Sequence, residues 1–391
     1  MLKILALDNI SQKVLDTIDS TKYEVVQGTT DNIEDDVDII LLRSSLLHDV
    51  ELPESVKAIA RCGAGYNNIP TEKCAEQGIV VFNTPGANAN AVAELATCAL
   101  FLTGRDIIGG ANWVNDLDGD DDVAKVAEKG KKNFVGPEIR DKTLAVIGLG
   151  NIGSKLAKNA VAMGMNVIGY DPFLSNEAVS HLPEGVQLAH TIEETMDSDY
   201  ISLHLALSDD TRGMINAEFF SKCKPGLRLL NYARGEIVNI PDLIEAINSG
   251  KVAKYATDFA MPEVLRNDNI ICTPHLGATT PESEENCAAM AVNQVRQYLE
   301  YGNIINSVNY PNCDIAIDAK YKICVLCKGN ADAVGTLSNI FAEAGADMIE
   351  PKTNTRGDYS FVAVGTNTPP QGIIDKINER EKVRAVFAIE M

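Results

Sequence analysis

Over roughly the first hundred residues, short apolar runs alternate with stretches of helical periodicity. The runs at 3–7, 23–26, 37–43, 56–62 and 79–82 are hydrophobic throughout rather than at every second position. A strand buried on one face alternates, whereas one buried on both does not, so these runs predict a parallel sheet covered on both sides. A long helix is predicted over 89–105, and a second α/β series runs from 142 to about 273. Residues 281–301 read as another long helix, ending in the turn Gly302-Asn303. Beyond Pro311-Asn312 the order changes to strand (321–327), helix (331–344), strand (347–353), strand (359–365), helix (372–380) and strand (383–389). That is a split βαβ arrangement, ferredoxin-like βαββαβ.

A chain of 391 residues exceeds one ordinary core, so two or three domains are expected. The apolar runs fall far short of membrane-spanning length, and the opening MLKILALD reads as a strand rather than a signal peptide. The formal net charge of -21 repels nucleic acid and anionic membrane surfaces, so neither is expected as a partner. An anionic substrate would need a local cationic pocket, which makes the few clustered Arg and Lys informative. The acidic stretch 115–132, containing DLDGDDD, reads as a solvated loop or exposed helix start. Nine Cys without framework spacing suggest free thiols in a reducing cytoplasm. Cys324 and Cys327 form a C-x-x-C without a second pair; within the strand-like YKICVLC they read as packing thiols, and no metal site is expected.

The strongest local signal is KTLAVIGLGNIGSKLAKNAVAMGMNVIGYDP, at 142–172. A strand leads into Gly148-x-Gly150-x-x-Gly153, then a helix, then a second strand ending in Asp171. Gly148 permits a tight turn, Gly150 lets the backbone approach a pyrophosphate, and Gly153 lets helix and strand pack closely. Asn151 and Ile152 sit at the helix start, whose N–H groups and partial positive charge favour a diphosphate. Asp171 lies where a carboxylate holds ribose hydroxyls, which favours NAD over NADP. His204, in ISLHLAL, lies at a strand end near the expected cofactor cleft.

Three further segments stand out: NYARGEIVN with Ala233 and Arg234, YATDFAMPE with Asp258 and Glu263, and CTPHLGATT with His275. With the glycine fingerprint and the early GAGYNNIP, they make residues 1 to about 310 resemble the D-isomer-specific 2-hydroxyacid dehydrogenases. The resemblance implies two doubly wound parallel-sheet domains. These are a flavodoxin-like substrate-binding domain at 1–97 and 280–310, and an inserted Rossmann NAD domain at 98–279. It implies that His275 takes the hydroxyl proton, a task suited to an imidazole near neutral pH. Glu263 would pair with and orient that imidazole, and Arg234 would clamp the substrate carboxylate with its rigid fork of donors. Asp258 would face the nicotinamide carboxamide, and Ala233 and His204 would line the cofactor.

The resemblance implies oxidation of 3-phospho-D-glycerate to 3-phosphooxypyruvate, the first step of L-serine synthesis. The resemblance places the phosphate near Arg43 and Ser44 of LLRSS, at a strand end where open α/β sheets bind ligands. Arg61 and the backbone of Gly63, Ala64 and Gly65 follow another strand, with Asn88 also in the site. Lys131 aligns with a basic position that some members use from a facing subunit, and a homodimer or homotetramer is implied. Two other readings stand beside this one: reduction of hydroxypyruvate or glyoxylate, and a non-catalytic NAD-sensing corepressor. The tail at 316–391 resembles an ACT regulatory domain. Its loop departs from the usual serine-binding pattern: Gly335 matches the motif glycine, Val334 replaces the proline, no histidine is present, and Asp347 stands where asparagine is common. Insensitivity to serine is therefore favoured, with Asn330 and Asp332 the residues to test.

Overall fold

A computed structural model describes the chain except for residues 120–121 and 330–332, so Asn330, Asp332 and two acids of the DLDGDDD run lie outside the described residues. The chain divides into two compact units, Met1–Asn88 with Pro281–Met391, and Ala89–Thr280.

The first unit opens with five strands, β1 (Leu2–Ala6), β2 (Tyr23–Gln27), β3 (Ile39–Leu42), β4 (Ala58–Arg61) and β5 (Val80–Phe82). They pair in parallel in the order β2-β1-β3-β4-β5. This is the flavodoxin-like order, with its switch point between β1 and β3. The uninterrupted hydrophobicity of the strands has the expected cause. Ile4, Ile39, Leu41 and Ala60 join a core with Ala288, Ala291 and Val295 of the helix Pro281–Tyr301. Their neighbours Leu5, Ile40, Leu42 and Ile59 enter a second core with Leu47, Val56 and Cys74 on the other face.

The C-terminal strands β13 (Tyr321–Lys328), β14 (Ile349–Arg356), β15 (Tyr359–Thr366) and β16 (Val383–Glu390) complete this unit, the seven intervening strands belonging to the second. Their antiparallel order is β14-β15-β13-β16, with the helices Ala333–Glu343 and Gln371–Asn378 between strands. This is the βαββαβ topology read from the sequence. Along β13, Ile323, Val325 and Cys327 pack on the two helices, while Cys324 and Leu326 share a core with β1, β3 and β4. The two thiols of the C-x-x-C therefore point to opposite faces. Burial pushes Cys324 up to about 12 and Cys327 up to about 11, so both are protonated packing groups. Fully buried Lys322 donates to Tyr301 O, Asn303 Oδ1 and Ile315 O at 2.8, 2.9 and 2.9 Å. Glu76 accepts from Lys328, from the Tyr359 hydroxyl at 2.6 Å and from Arg384 Nε at 3.2 Å. The bond from Lys328 leads these partners in holding the Glu76 carboxyl down at about 2.

The second unit contains β6 (Thr143–Ile147), β7 (Asn166–Tyr170), β8 (Val186–Leu188), β9 (Tyr200–Leu203), β10 (Leu227–Asn231), β11 (Val252–Thr257) and β12 (Ile270–Cys272). All pair in parallel, in the order β12-β11-β10-β9-β6-β7-β8. Its first six strands follow the doubly wound nucleotide-binding order, with the switch point between β6 and β9. The helix Ala89–Gly104 packs here against the helix Asn151–Ala162. The acidic stretch contains an exposed helix start, one of its two expected forms, and a second such start precedes it. Asp106 caps Ile107–Asn115 by accepting from Gly109 N, and Asp122 caps Val123–Gly130 by accepting from Lys125 N. Short acidic side chains satisfy exposed helix N–H groups at exactly such starts.

Candidate active site

At the switch point of the second unit, β6 runs into the glycine loop. Gly148 has φ +94°, and a Cβ there would sit 2.6 Å from His204 O. A Cβ on Gly153 would sit 1.9 Å from Gly148 O, so neither position admits a side chain. Around a Cβ on Gly150, by contrast, nothing lies within 4 Å. Gly150 is the N-cap of the helix Asn151–Ala162, which has no side-chain cap and no acid in its first turn. The N–H groups of Asn151 and Ile152 are thus offered to an anion, as a diphosphate requires. Asp171 fastens the loop: its Oδ2 accepts from Leu149 N at 2.9 Å and its Oδ1 from Phe173 N at 3.0 Å. Each carboxylate oxygen retains a lone pair for a ribose hydroxyl.

The strand ends around this loop carry buried polar atoms without partners: His204 Nδ1, Asp258 Oδ1 and Thr273 Oγ1. Such groups are free to bond a ligand or water. The His204 Nε2 meets Ser202 Oγ at 2.8 Å, and burial holds the ring down at about 4, so it is neutral. The uncapped helix start, the open Gly150 and these orphaned atoms fit a dinucleotide.

Arg234, Asp258, Glu263 and His275 all lie beyond the carboxyl ends of β10, β11 and β12. Ala233 N donates to Asn231 Oδ1 at 3.1 Å, and Arg234 Nη1 donates to Ala233 O at 2.6 Å. Asp258 is 3% exposed; its Oδ2 accepts from Gly277 N at 3.0 Å. Burial raises its pKa, opposed by the Gly277 bond and by nearby His275 and Arg234. The exposed His275 ring stands edge-on to Phe259, centroids 5.2 Å apart. Glu263 is exposed on the turn Pro262–Val264, which Val264 anchors in the core, and among the described residues it makes no hydrogen bond to His275. The structure thus brings His275 and Arg234 within electrostatic reach of Asp258, and leaves Glu263 in solvent.

In the first unit, Arg43 and Ser44 follow β3 at the switch point with β1. Asp8, just past β1 with φ +59°, gathers this loop. Its Oδ2 accepts from the N–H groups of Arg43, Ser44 and Ser45 at 2.8, 2.8 and 3.0 Å, and its Oδ1 from Ser45 Oγ at 2.7 Å. Burial alone would raise the Asp8 carboxyl; the bonds from Ser45, Arg43 and Ser44 outweigh it and hold the group below its ordinary value. The Arg43 carbonyl accepts from Arg61 Nε at 3.0 Å, and the Arg43 guanidinium pairs with Glu284 in the first turn of the helix Pro281–Tyr301. The Arg61 guanidinium lies over Gly63, where a Cβ would fall 1.6 Å from Nη1. Gly63 O accepts from Thr84 N at 3.0 Å and Ala64 O from Asn83 Nδ2 at 2.6 Å, which fixes the stretch ending at Gly65. Asn88 closes this segment of the unit. Lys131 lies in the other unit, in the turn Lys131–Phe134, paired with Glu128.

Asp8 and Glu284 were missed by the sequence reading. Asp8 had a signal, since it follows the first strand as Arg43 follows the third. Glu284 had none, because only the tertiary fold brings the helix start to that strand end.

A family model described as D-isomer specific 2-hydroxyacid dehydrogenase, NAD binding domain, matches residues 110–277. The hydroxypyruvate reductase of Thermotoga maritima is 36% identical over 293 residues, covering 70% of this chain and 90% of the relative. The D-3-phosphoglycerate dehydrogenase of Methanocaldococcus jannaschii is 34% identical over 328 residues, covering 80% of this chain. The chain spans 60% of that relative and 59% of its Bacillus subtilis counterpart. The NAD-bound 3-phosphoglycerate dehydrogenase structure from Entamoeba histolytica superposes with TM-score 0.61 at 28% identity, covering 79% of this chain and 98% of that one.

Proposed function

The chain belongs to the D-isomer-specific 2-hydroxyacid dehydrogenases and carries their NAD-binding domain, and on that footing we propose that it oxidises 3-phospho-D-glycerate to 3-phosphooxypyruvate in serine synthesis. This chain's residues would hold NAD, which would supply a hydride acceptor for C2 of the substrate. Gly148, Gly150, Asn151, Ile152 and Gly153 hold its diphosphate and Asp171 its ribose, while Asp258 and His204 offer buried polar atoms to the nicotinamide end. His275 takes the hydroxyl proton. Arg234 grips the carboxylate and polarises the reacting oxygen. Glu263 is the acid assigned to orient His275, a role its solvent-exposed position does not itself support. Arg43, Ser44, Arg61 and the Gly63–Gly65 backbone receive the phosphate.

The observation that carries the choice of substrate is Arg43, a guanidinium on a loop pinned by Asp8 at a switch point. A second reading, reduction of hydroxypyruvate, is favoured by the Thermotoga relative, nearly all of whose length is matched. Domains 1–97 with 280–310, 98–279 and 316–391 serve substrate, cofactor and regulation in this reading. The enzyme works in the cytoplasm as a homodimer or homotetramer, with Lys131 offered to a facing subunit. No helix among the described residues is long and apolar enough to cross a membrane.

The test follows NADH absorbance with 3-phospho-D-glycerate, trapping the product, in the native chain and in Arg43→Ala. The substitution should raise KM for the phosphorylated substrate about 10- to 100-fold, as expected for loss of a charge-assisted contact, and much less for D-glycerate. Equal effects on both would defeat the phosphate assignment.

A further inference from the structure

The cation proposed to receive phosphate is already paired. Arg43 shares its ion pair with Glu284 although both side chains keep access to solvent, at 35% and 39% exposure. The arginine backbone is fixed on every side, by Asp8 at its N–H and by Arg61 at its carbonyl. The loop therefore cannot carry the guanidinium away, and adjustment falls to the two side-chain tips. Glu284 stands among Glu282 and Glu285, of which Glu285 is held by Lys13 at 2.6 Å. Counting Asp8, Arg43, Arg61 and Glu284, the switch point carries two positive and two negative formal charges. An anion arriving there meets a neutral cluster.

From this arrangement we propose that Glu284 is a specificity-determining competitor, rather than a strut, for Arg43. It occupies the guanidinium until a phosphate dianion displaces it, and it remains paired when the substrate has only a hydroxyl at that position. Glu284 engages one guanidinium nitrogen, Nη1, and a dianion with tetrahedral oxygens can displace it by engaging two. A hydroxyl cannot, though it can donate to the Glu284 carboxylate with the pair intact. Glu284 thus weakens binding of the phosphorylated substrate and admits an unphosphorylated one. This inference rests on the phosphate reading above.

Glu284→Gln keeps an acceptor facing Arg43 and removes the charge. Measured with 3-phospho-D-glycerate and D-glycerate, it should raise the ratio of kcat/KM values in favour of the phosphorylated substrate about five- to twentyfold. That range corresponds to relieving a carboxylate–dianion contact in a wet site. The change should fall on KM of the phosphorylated substrate rather than on kcat. Glu284→Ala, which also removes the acceptor, should shift the ratio in the same direction. A ratio that stays constant or falls in both variants, while Arg43→Ala still raises the phosphorylated KM, overturns the competitor role and makes Glu284 a strut. If Arg43→Ala leaves that KM unchanged, the phosphate reading itself has failed. Melting curves of each variant exclude loss of fold as the cause.

Discussion

Asp8 is the residue on which the proposed phosphate loop depends, and Asp8→Ala tests that dependence. The substitution deletes one acceptor for three backbone N–H groups and a second for the Ser45 hydroxyl. Hydrogen bonds to a charged group contribute roughly 1.5–3 kcal/mol each when dry. Ser44 is exposed and Arg43 and Ser45 half-buried, so water replaces much of what is lost. A total of about 2–3 kcal/mol follows after that discount. Urea denaturation should register it as a lower midpoint with an unchanged slope. The carboxyl lies below its ordinary value of 3.8 in the folded protein. Its contribution is therefore fully present above pH 3.8 and disappears as pH falls through the lower folded value, so the variant should lack that acid-side loss. With Arg43 no longer held, KM for 3-phospho-D-glycerate should rise about tenfold with kcat nearly constant. Asp8→Asn, whose amide oxygen can still accept the three N–H groups, should recover most of both effects. Stability lost without any change in KM, or no rescue by asparagine, would refute the claim that Asp8 acts through Arg43.

Gly153→Val should abolish NADH binding, read by nucleotide fluorescence, because its Cβ alone would lie 1.9 Å from Gly148 O. His275→Asn should lower kcat about 100- to 10,000-fold, the usual worth of a positioned base, while nucleotide binding is kept. Lys322→Met should lower stability by about 2–3 kcal/mol in urea titration, since three part-buried acceptors lose their shared donor.

What the sequence made legible was periodic or local. The runs at 37–43 and 56–62 announced a sheet covered on both faces because β3 and β4 meet helices or loops on both sides. The fingerprint announced the nucleotide loop because its turn, close approach and helix contact all fall within six residues, Gly148 to Gly153. The tail's strand–helix alternation was equally plain, and its topology followed. What was not legible depends on distant pairing. Nothing in YKICVLC shows that Lys322 would be buried by Tyr301, Asn303 and Ile315, or that Cys324 and Cys327 face different cores. Nor does the TPESEEN segment show that Glu284 meets Arg43, which lies 241 positions earlier. The acidic stretch left loop and exposed helix start both open, and Asp122 settles it locally as a helix cap, accepting from Lys125 N.

The same distinction bears on how an acidic chain gathers an anion. With a net charge of -21, long-range attraction cannot bring phosphate to the first unit, and the neutral Asp8–Arg43–Arg61–Glu284 cluster adds no net attraction nearby. In the proposed reading, recognition is short-ranged: it would come from exchanging one partner of a fixed guanidinium for another with better geometry, not from a field. Such a site discriminates by the difference between two bound anions rather than by affinity for either. That is why one carboxylate in a helix first turn, rather than a further arginine, is the position where substrate choice would be altered.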